Sequence, residues 1–282
     1  MIAEFHHKDF NLRELGRLKR AQGVTISCVV PTLNEAATVA RVVSALRRNP
    51  LVDECVVVDS GSADETCARA AEAGASVFLA SAIRPELGPA RGKGENLWKA
   101  LFVTRGDLVM YADGDLRNAH PRLVTGLVGP LLTRPDLSYV KAHYERAGGG
   151  GRVTEILVRP MLRRFFPELA GLHQPLAGEY AARRSVLERL PFPHGYSVET
   201  THLIDFAREF GVAELAQTDL GRRVHRMRPL ADLGRMSEEI LQSLLARLPA
   251  DVLATAITPS SRPFERPPAG HVLSAGHRAE ES

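Results

Sequence analysis

The chain has 282 residues, 44% of them hydrophobic and 24% charged, which is the make-up of an ordinary globular protein long enough for one large α/β domain, alone or with a small extension. Its 36 basic and 33 acidic residues leave a net charge of +3, which tolerates an anionic small molecule and gives no basis for a nucleic-acid partner. No apolar run is long enough to span a bilayer, the first residues lack a basic-then-apolar leader, and Cys28, Cys55 and Cys67 have no metal-type spacing; Cys28 and Cys55 lie in apolar strand-like runs, so buried free thiols in a reducing cytoplasm are expected there.

Met1–Gln22 reads as a charged helix carrying Phe5, Phe10, Leu12, Leu15 and Leu18. A buried strand follows at Val24–Pro31, with Asn34 placed to cap a helix running to about Arg48. Val52–Asp59 is a second strand, Ser62 or Asp64 starts a helix ending near Gly74, and Ala75–Ala80 is a short third strand. Glu95–Thr104 is expected as helix and Asp107–Ala112 as a fourth strand. This alternation predicts a mostly parallel sheet covered by helices, with ligands at the carboxyl ends of its strands. Beyond Pro121 the expected elements are a helix at Arg122–Leu132, a strand at Leu137–His143, helices at Val153–Phe166 and Val198–Phe210, and a strand at Ala213–Thr218. Leu230–Leu248 has apolar residues at helical spacing and suits a core-wrapping helix or a subunit contact. From about Pro259 proline, glycine, serine and charge predict a disordered tail.

Several constellations carry chemistry. Pro31-Thr32-Leu33-Asn34-Glu35 and Asp59-Ser60-Gly61-Ser62-Ala63-Asp64-Glu65-Thr66 follow adjacent strands, where carboxylates and helix-start N–H groups suit a nucleotide. Asp59 and Glu35 equally suit turn formation and capping. Asp113-Gly114-Asp115 ends the fourth strand, and two carboxylates bracketing a glycine can hold Mg²⁺ or Mn²⁺ against a diphosphate. Arg91-Gly92-Lys93-Gly94-Glu95 lets the backbone approach a ligand beside a point charge; it is not a P-loop, because Gly94 stands where Ser or Thr is required. Gly148–Gly151 feeds a helix start at Arg152-Val153-Thr154-Glu155, a linker or an anion cradle. Arg222–Arg228 is a basic run enclosing His225, either a solvated face or a source of a nitrogen ligand.

The first three motifs together resemble the GT-A-fold glycosyltransferases. Gly92-Lys93-Gly94-Glu95-x-x-Trp98, Gly149–Glu155, Gln174–Tyr180, Gly195-Tyr196-Ser197-Val198-Glu199 and Val224-His225-Arg226 narrow this to retaining family 81, the glucosyl- and mannosyl-3-phosphoglycerate synthases, in order from about residue 5 to about residue 248. The resemblance implies an α/β fold of GT-A type, a Rossmann-like nucleotide-binding sheet with helices on both faces and a smaller C-terminal acceptor-binding part. It implies that Pro31, Leu33, Glu35 and Ser60 hold uridine, Lys93 the donor or its diphosphate, and Asp113 the nucleotide-sugar. Asp115 and His225 would ligate Mg²⁺ or Mn²⁺, Glu199 would face the donor sugar, and Gly151, Arg152, Thr154 and Arg223 would grip the phosphoglycerate. The family's Asp-Ser-Asp is Asp113-Gly114-Asp115 here, and its His-Arg-Asn is His225-Arg226-Met227.

The expected organisation is a helical extension at 1–22, a nucleotide-sugar-binding half at 23–120, an acceptor-binding half with a C-terminal helix at 121–258 and the tail at 259–282. The expected activity is cytoplasmic, metal-dependent glucosyl transfer from a nucleotide-glucose, UDP-glucose first, to D-3-phosphoglycerate. Retention would come by front-face displacement, as the family implies, with Asp115, Glu199 and His225 as the catalytic set. A homodimer without a membrane span is expected. Mannose transfer from GDP-mannose is the nearest alternative. A nucleotidyltransferase is more distant, since that activity calls for a glycine-rich triphosphate loop where Pro31–Glu35 stands.

Overall fold

A computed structural model describes residues 1–88, 92–146, 151–223 and 229–252. The chain divides into two units, Met1–Leu244 and Leu245–Ser282, and of the second only residues 245–252 are described. Arg91, Gly148–Gly150, His225, Met227 and the tail expected from about Pro259 lie outside the described residues.

The first unit is built on strands β1 (Ala3–His6), β2 (Ile26–Thr32), β3 (Glu54–Asp59), β4 (Ser76–Leu79), β5 (Leu108–Tyr111), β6 (Tyr139–Arg146), β7 (Tyr180–Arg183) and β8 (Leu215–Arg223). The helices are α1 (Leu12–Gln22), α2 (Val39–Arg47), α3 (Thr66–Glu72), α4 (Lys93–Val103), α5 (Arg122–Thr133), α6 (Arg159–Phe165), α7 (Arg184–Leu187), α8 (Val198–Glu209) and α9 (Leu230–Leu245). The strands form one sheet in the order β1-β8-β6-β7-β5-β2-β3-β4, parallel except for β7, which runs antiparallel to β5 and β6.

The expected alternation thus produces a sheet with both faces covered. Cys28, Val29 and Val30 are all fully buried, as a two-sided strand requires. Cys28, Val30, Val57, Met110 and Val140 share one core with Val42 and Leu46 of α2 and Leu127 and Leu131 of α5. On the other face Tyr139 and Tyr180 stack with ring centres 5.1 Å apart, and Tyr139 meets Phe206 of α8 at 5.3 Å.

Several local expectations change. The segment read as a helix from Met1 begins with β1, which pairs in parallel with β8 from Ala3↔Ala216 to His6↔Asp219. Its period-two pattern turns Ala3 and Phe5 toward the core, which no short helix could satisfy as well. Only at Asn11, whose Oδ1 accepts from the Arg13 and Glu14 N–H groups, does helix α1 start. Asn34 is not a cap. It adopts φ +57°, donates its N–H to Ser62 Oγ at 2.7 Å and accepts from Ala63 N–H at 2.9 Å, and α2 begins only at Val39. The expected helix over Val153–Phe166 opens as a π turn at Thr154–Val158: Arg159 N–H reaches back to Thr154 O, and Pro160 has no N–H to restore the α pattern. Tyr180-Ala181-Ala182-Arg183 forms β7 outside any strand expected from sequence: its two alanines disfavour a strand, and its form comes from pairing on both sides. β8 continues to Arg223, past the expected end at Thr218.

The turn into β5 passes against β2 so closely that a Cβ on Gly106 would lie 2.5 Å from the Ser27 backbone nitrogen and 3.0 Å from the Ile26 carbonyl carbon. Backbone cannot rotate away, so Gly106→Ala lowers the free energy of unfolding by about 1–3 kcal/mol in urea titrations. Gly171→Ala, where a Cβ meets nothing within 4 Å, changes it by less than about 0.5 kcal/mol. Equal losses in the two variants would contradict the close approach.

Candidate active site

The carboxyl ends of β2, β3 and β5 open onto one cleft of about 1190 Å³. Pro31, Leu33 and Glu35 line it from the turn after β2, Ser60 from the turn after β3, and Asp113 and Asp115 from the turn after β5. Lys93 at the start of α4, Glu199 in the first turn of α8, Gly151, Arg152 and Thr154 before α6, and Arg223 at the end of β8 line the same cleft. Of the residues given a site role from sequence, only His225 falls outside the described ones.

The two turns that follow β2 and β3 are locked together. Beyond the Asn34 contacts, Glu35 N–H donates to Thr66 Oγ1 at 2.8 Å and Ala36 N–H to Asp64 Oδ2 at 3.2 Å. Asp59 is fully buried and accepts from Gly61 N–H, Ser62 N–H, Ser62 Oγ and Thr32 Oγ1 at 2.6 to 2.9 Å. Burial alone would raise its pKa, but these donors hold it below the usual carboxylate value. Asp59 therefore organises the turn, the blander of its two readings, and leaves Leu33, Glu35 and Ser60 facing the cleft. Leu33 keeps 54% of its surface, an apolar platform at the mouth of a polar turn. Gly114 lets the aspartate pair press against this turn: a Cβ there would stand 3.1 Å from Thr32 Cγ2 and 3.3 Å from Pro31 O.

Behind the turns lies a buried network of charge. Asp113 accepts from Lys93 Nζ through Oδ1 and from Arg223 Nη2 through Oδ2, the second at 3.0 Å. Lys93 also reaches Glu199 Oε1 at 2.6 Å. The other arm of Arg223 donates to Glu179 Oε2 at 2.8 Å, and its Nη2 lies 3.7 Å from Asp115 Oδ1. Burial alone would raise the Asp113 pKa, yet Lys93 and Arg223 hold it well below the ordinary range. Lys93 is shifted upward: burial opposes its charge, and Asp113 and Glu199 outweigh that. Glu179, with no exposed surface, is pushed up to about 7 by burial, Asp113 adding to the shift and Arg223 opposing it. Gly178 lies so close to Asp113 that any Cβ would strike the carboxylate.

The donor set suits a hard divalent cation. Asp115 Oδ1 and Glu179 Oε1 are buried with no hydrogen-bond partner among the described residues. Among the described residues the carboxylates of Asp113, Asp115, Glu179 and Glu199 converge beside Lys93, Lys141 and Arg223, and such oxygen ligands favour Mg²⁺ or Mn²⁺.

Comparison with known proteins decides the family. The sequence profile described as glycosyl transferase family 2 matches residues 27–190. The chain is 48% identical over 259 residues to the glucosyl-3-phosphoglycerate synthase of Petrotoga mobilis, covering 86% of this chain and 80% of that one. It is 46% identical over 248 residues to the Mycobacterium tuberculosis enzyme of the same name, covering 83% and 76%. The chain belongs to the glucosyl-3-phosphoglycerate synthase family. It is a glycosyltransferase with the GT-A fold. The solved structure of the M. tuberculosis synthase in complex with Mn²⁺, UDP-glucose and phosphoglyceric acid matches with a TM-score of 0.83 at 46% identity, over 88% of each chain. The mannosyl-3-phosphoglycerate synthase of Rubrobacter xylanophilus matches with a TM-score of 0.84 at 42% identity, over 89% of this chain and 82% of that one.

Sequence reasoning gave no role to two charged residues of this synthase-family site. Glu179 stands inside the Gln174–Tyr180 motif, and its signal is a carboxylate next to an apolar segment. Lys141 stands in the apolar first half of β6, Tyr139-Val140-Lys141-Ala142. It is 1% exposed, with its ammonium 5.1 Å from the Tyr180 ring centre and 3.5 Å from the Glu199 carbonyl oxygen. Burial lowers its pKa to about 8 against the pull of Glu199. Between about pH 8 and an unfolded value of about 10.4, the unfolded chain holds a proton that the folded chain has released, so stability rises with pH. Urea denaturation at pH 7.5 and pH 10 should show this rise, on the order of 2–3 kcal/mol, in wild type relative to Lys141→Met. Parallel pH responses of the two proteins would mean that Lys141 titrates normally.

Proposed function

We propose that the enzyme transfers glucose from UDP-glucose to D-3-phosphoglycerate with retention at the anomeric carbon, assisted by Mg²⁺ or Mn²⁺. The observation that carries this reading is the convergence on one cleft of the nucleotide-side turns, the aspartate pair and the Gly151–Thr154 segment. The ligands named for the M. tuberculosis complex, Mn²⁺, UDP-glucose and phosphoglyceric acid, support the same assignment.

Leu33 and Pro31 pack the base, and Glu35 and Ser60 meet the polar edges of the nucleoside. Asp113, fixed by Lys93 and Arg223, orients the donor. Asp115 would hold the metal, with His225 as its nitrogen ligand as the family motif implies, and a cation there would supply positive charge against the departing diphosphate. Arg152, exposed at the cleft, and the buried Thr154 grip the acceptor's phosphate or carboxylate, the first by a charge-assisted fork. Arg223 is held by Glu179 and Asp113, so toward the acceptor it acts as a fixed field of positive charge at the base of the cleft.

Glu199 is buried and held by Lys93, which suits it to accept hydrogen bonds from donor-sugar hydroxyls and not to attack carbon. The acceptor hydroxyl then attacks the anomeric carbon from the face the diphosphate leaves. The new C–O bond forms as the bond to the phosphate oxygen breaks, and that oxygen takes the hydroxyl proton. The donor's configuration is retained. The likeness to a mannosyl-3-phosphoglycerate synthase keeps mannose from GDP-mannose as the second reading.

A donor panel with D-3-phosphoglycerate, read by mass and proton NMR, should give an α-linked glucosyl product from UDP-glucose. Exclusive use of GDP-mannose would replace the first reading with the second, and a β-linked product would reject the retaining mechanism.

Two variants separate the halves of the site. Asp115→Ala should lower turnover by orders of magnitude with the fold unchanged by circular dichroism; near-wild-type rates in chelator would remove the metal from the mechanism. Arg152→Ala should raise the acceptor KM by roughly 30- to 100-fold, corresponding to about 2–3 kcal/mol, and leave the donor KM nearly constant. An unchanged acceptor KM would reduce Gly151–Thr154 to a linker.

A further inference from the structure

A second cluster of ligating side chains lies away from the aspartate pair. β1, β8 and β6 are neighbours in register, with Glu4 beside Gln217 and Gln217 beside Lys141, and one step on, His6 beside Asp219 and Asp219 beside His143. On this stretch Ala3, Phe5, Val140, Ala142 and Ala216 belong to the core that contains α5. The period of two therefore sends Glu4, Gln217, His143 and their in-register partners to the opposite face.

The loop before β7 crosses that face and delivers His173 to it. His173 N–H donates to Gln217 Oε1 at 2.9 Å, Gln217 Nε2 donates to Gly171 O at 3.1 Å, and Arg159 Nη2 donates to His173 O at 2.9 Å. Three separate contacts thus hold the backbone that carries this imidazole.

The result is a convergence of two imidazoles and a carboxylate. Glu4 Oε1 lies 3.0 Å from His173 Nε2 and 3.6 Å from His143 Nε2, and the two rings are 4.6 Å apart. One ligand atom from each residue lies within 4.8 Å of the other two. Bonds of about 2.0–2.1 Å in a tetrahedral zinc site set ligand atoms about 3.3 Å apart, which falls between the two Glu4 distances. His143 Nε2 is buried and has no hydrogen-bond partner among the described residues. A plain His–Glu ion pair would explain one imidazole at this carboxylate; it does not explain two rings directed at one oxygen with an unpartnered nitrogen between them. A cavity of about 270 Å³, lined in part by His143, His173, Thr154 and Gln174, leaves room for a further ligand.

We propose that Glu4, His143 and His173 form a second metal site, for Zn²⁺, with a fourth position open to water or a small anion. Its ligands are two nitrogens and one oxygen, in contrast to the oxygen-rich set around Asp115, so the two sites select different ions. A bound ion would cross-link the edge strand β1, the interior strand β6 and the loop before β7.

The test uses untagged, full-length protein carrying Asp115→Asn, so that the oxygen-rich site does not contribute. Titration calorimetry should count one Zn²⁺ per chain, Co²⁺ should give the visible bands of a tetrahedral site, and Zn²⁺ should raise the melting temperature. His143→Asn and His173→Asn should each weaken Zn²⁺ binding by more than about 100-fold and abolish the thermal response. Glu4→Gln, at a half-exposed position that tolerates substitution, should weaken binding by at least about tenfold even if a histidine variant fails to fold. Zn²⁺ affinity unchanged in Glu4→Gln and in the folded histidine variants, or no bound Zn²⁺ at all, would overturn the proposal.

Discussion

Taking a carboxylate even partly out of water carries a desolvation cost, and the half-buried Asp113 is held in place by Lys93 and Arg223, which both reach it. Neither cation is local. Lys93 comes from the start of α4 and Arg223 from the last residue of β8, and each is held from behind by a second carboxylate, Glu199 and Glu179. Each of these charges meets its partner only when β5, α4, α8, β8 and the segment leading into β7 are all in place. Assembly of the sheet and assembly of the site are therefore one event, and loss of any member leaves a buried charge without its partner.

The reversed strand β7 makes this possible. An antiparallel strand starts where its parallel neighbours end. Tyr180 pairs with Tyr111, the last residue of β5, so Glu179 just ahead of it stands at the carboxyl edge beside Asp113. A parallel strand in that position would have sent this residue to the far side of the sheet. The stacked Tyr180 and Tyr139 rings, with Tyr111 tilted against Tyr180, close the floor beneath, and Lys141 lies over the Tyr180 ring. The low local dielectric strengthens every charge contact above that floor.

The nucleotide side is rigid for a different reason. Its two turns are joined by side chains that satisfy each other's backbone N–H groups, with Asn34, Ser62, Asp64 and Thr66 doing the joining and Asp59 anchoring the second turn from beneath. A ligand entering here meets a preformed surface and loses little free energy to ordering it.

The sequence by itself determined the alternating strands and helices, the strand-end motifs from Pro31 to Asp115, and the charged and glycine-led positions Lys93, Gly151, Arg152, Thr154 and Arg223 that line one cleft. These were legible because hydrophobic period and turn chemistry act over a few residues. The tertiary structure decided what depends on partners distant in the chain. β1 and β7 are strands because of the neighbours they pair with, Asn34 is a cross-link and not a cap because Ser62 stands opposite, and Asp59 is sealed by donors from two turns. Glu179 and Lys141 joined the site for the same reason: burial and charge pairing arise between elements, and no local pattern records which side chain will be left without water.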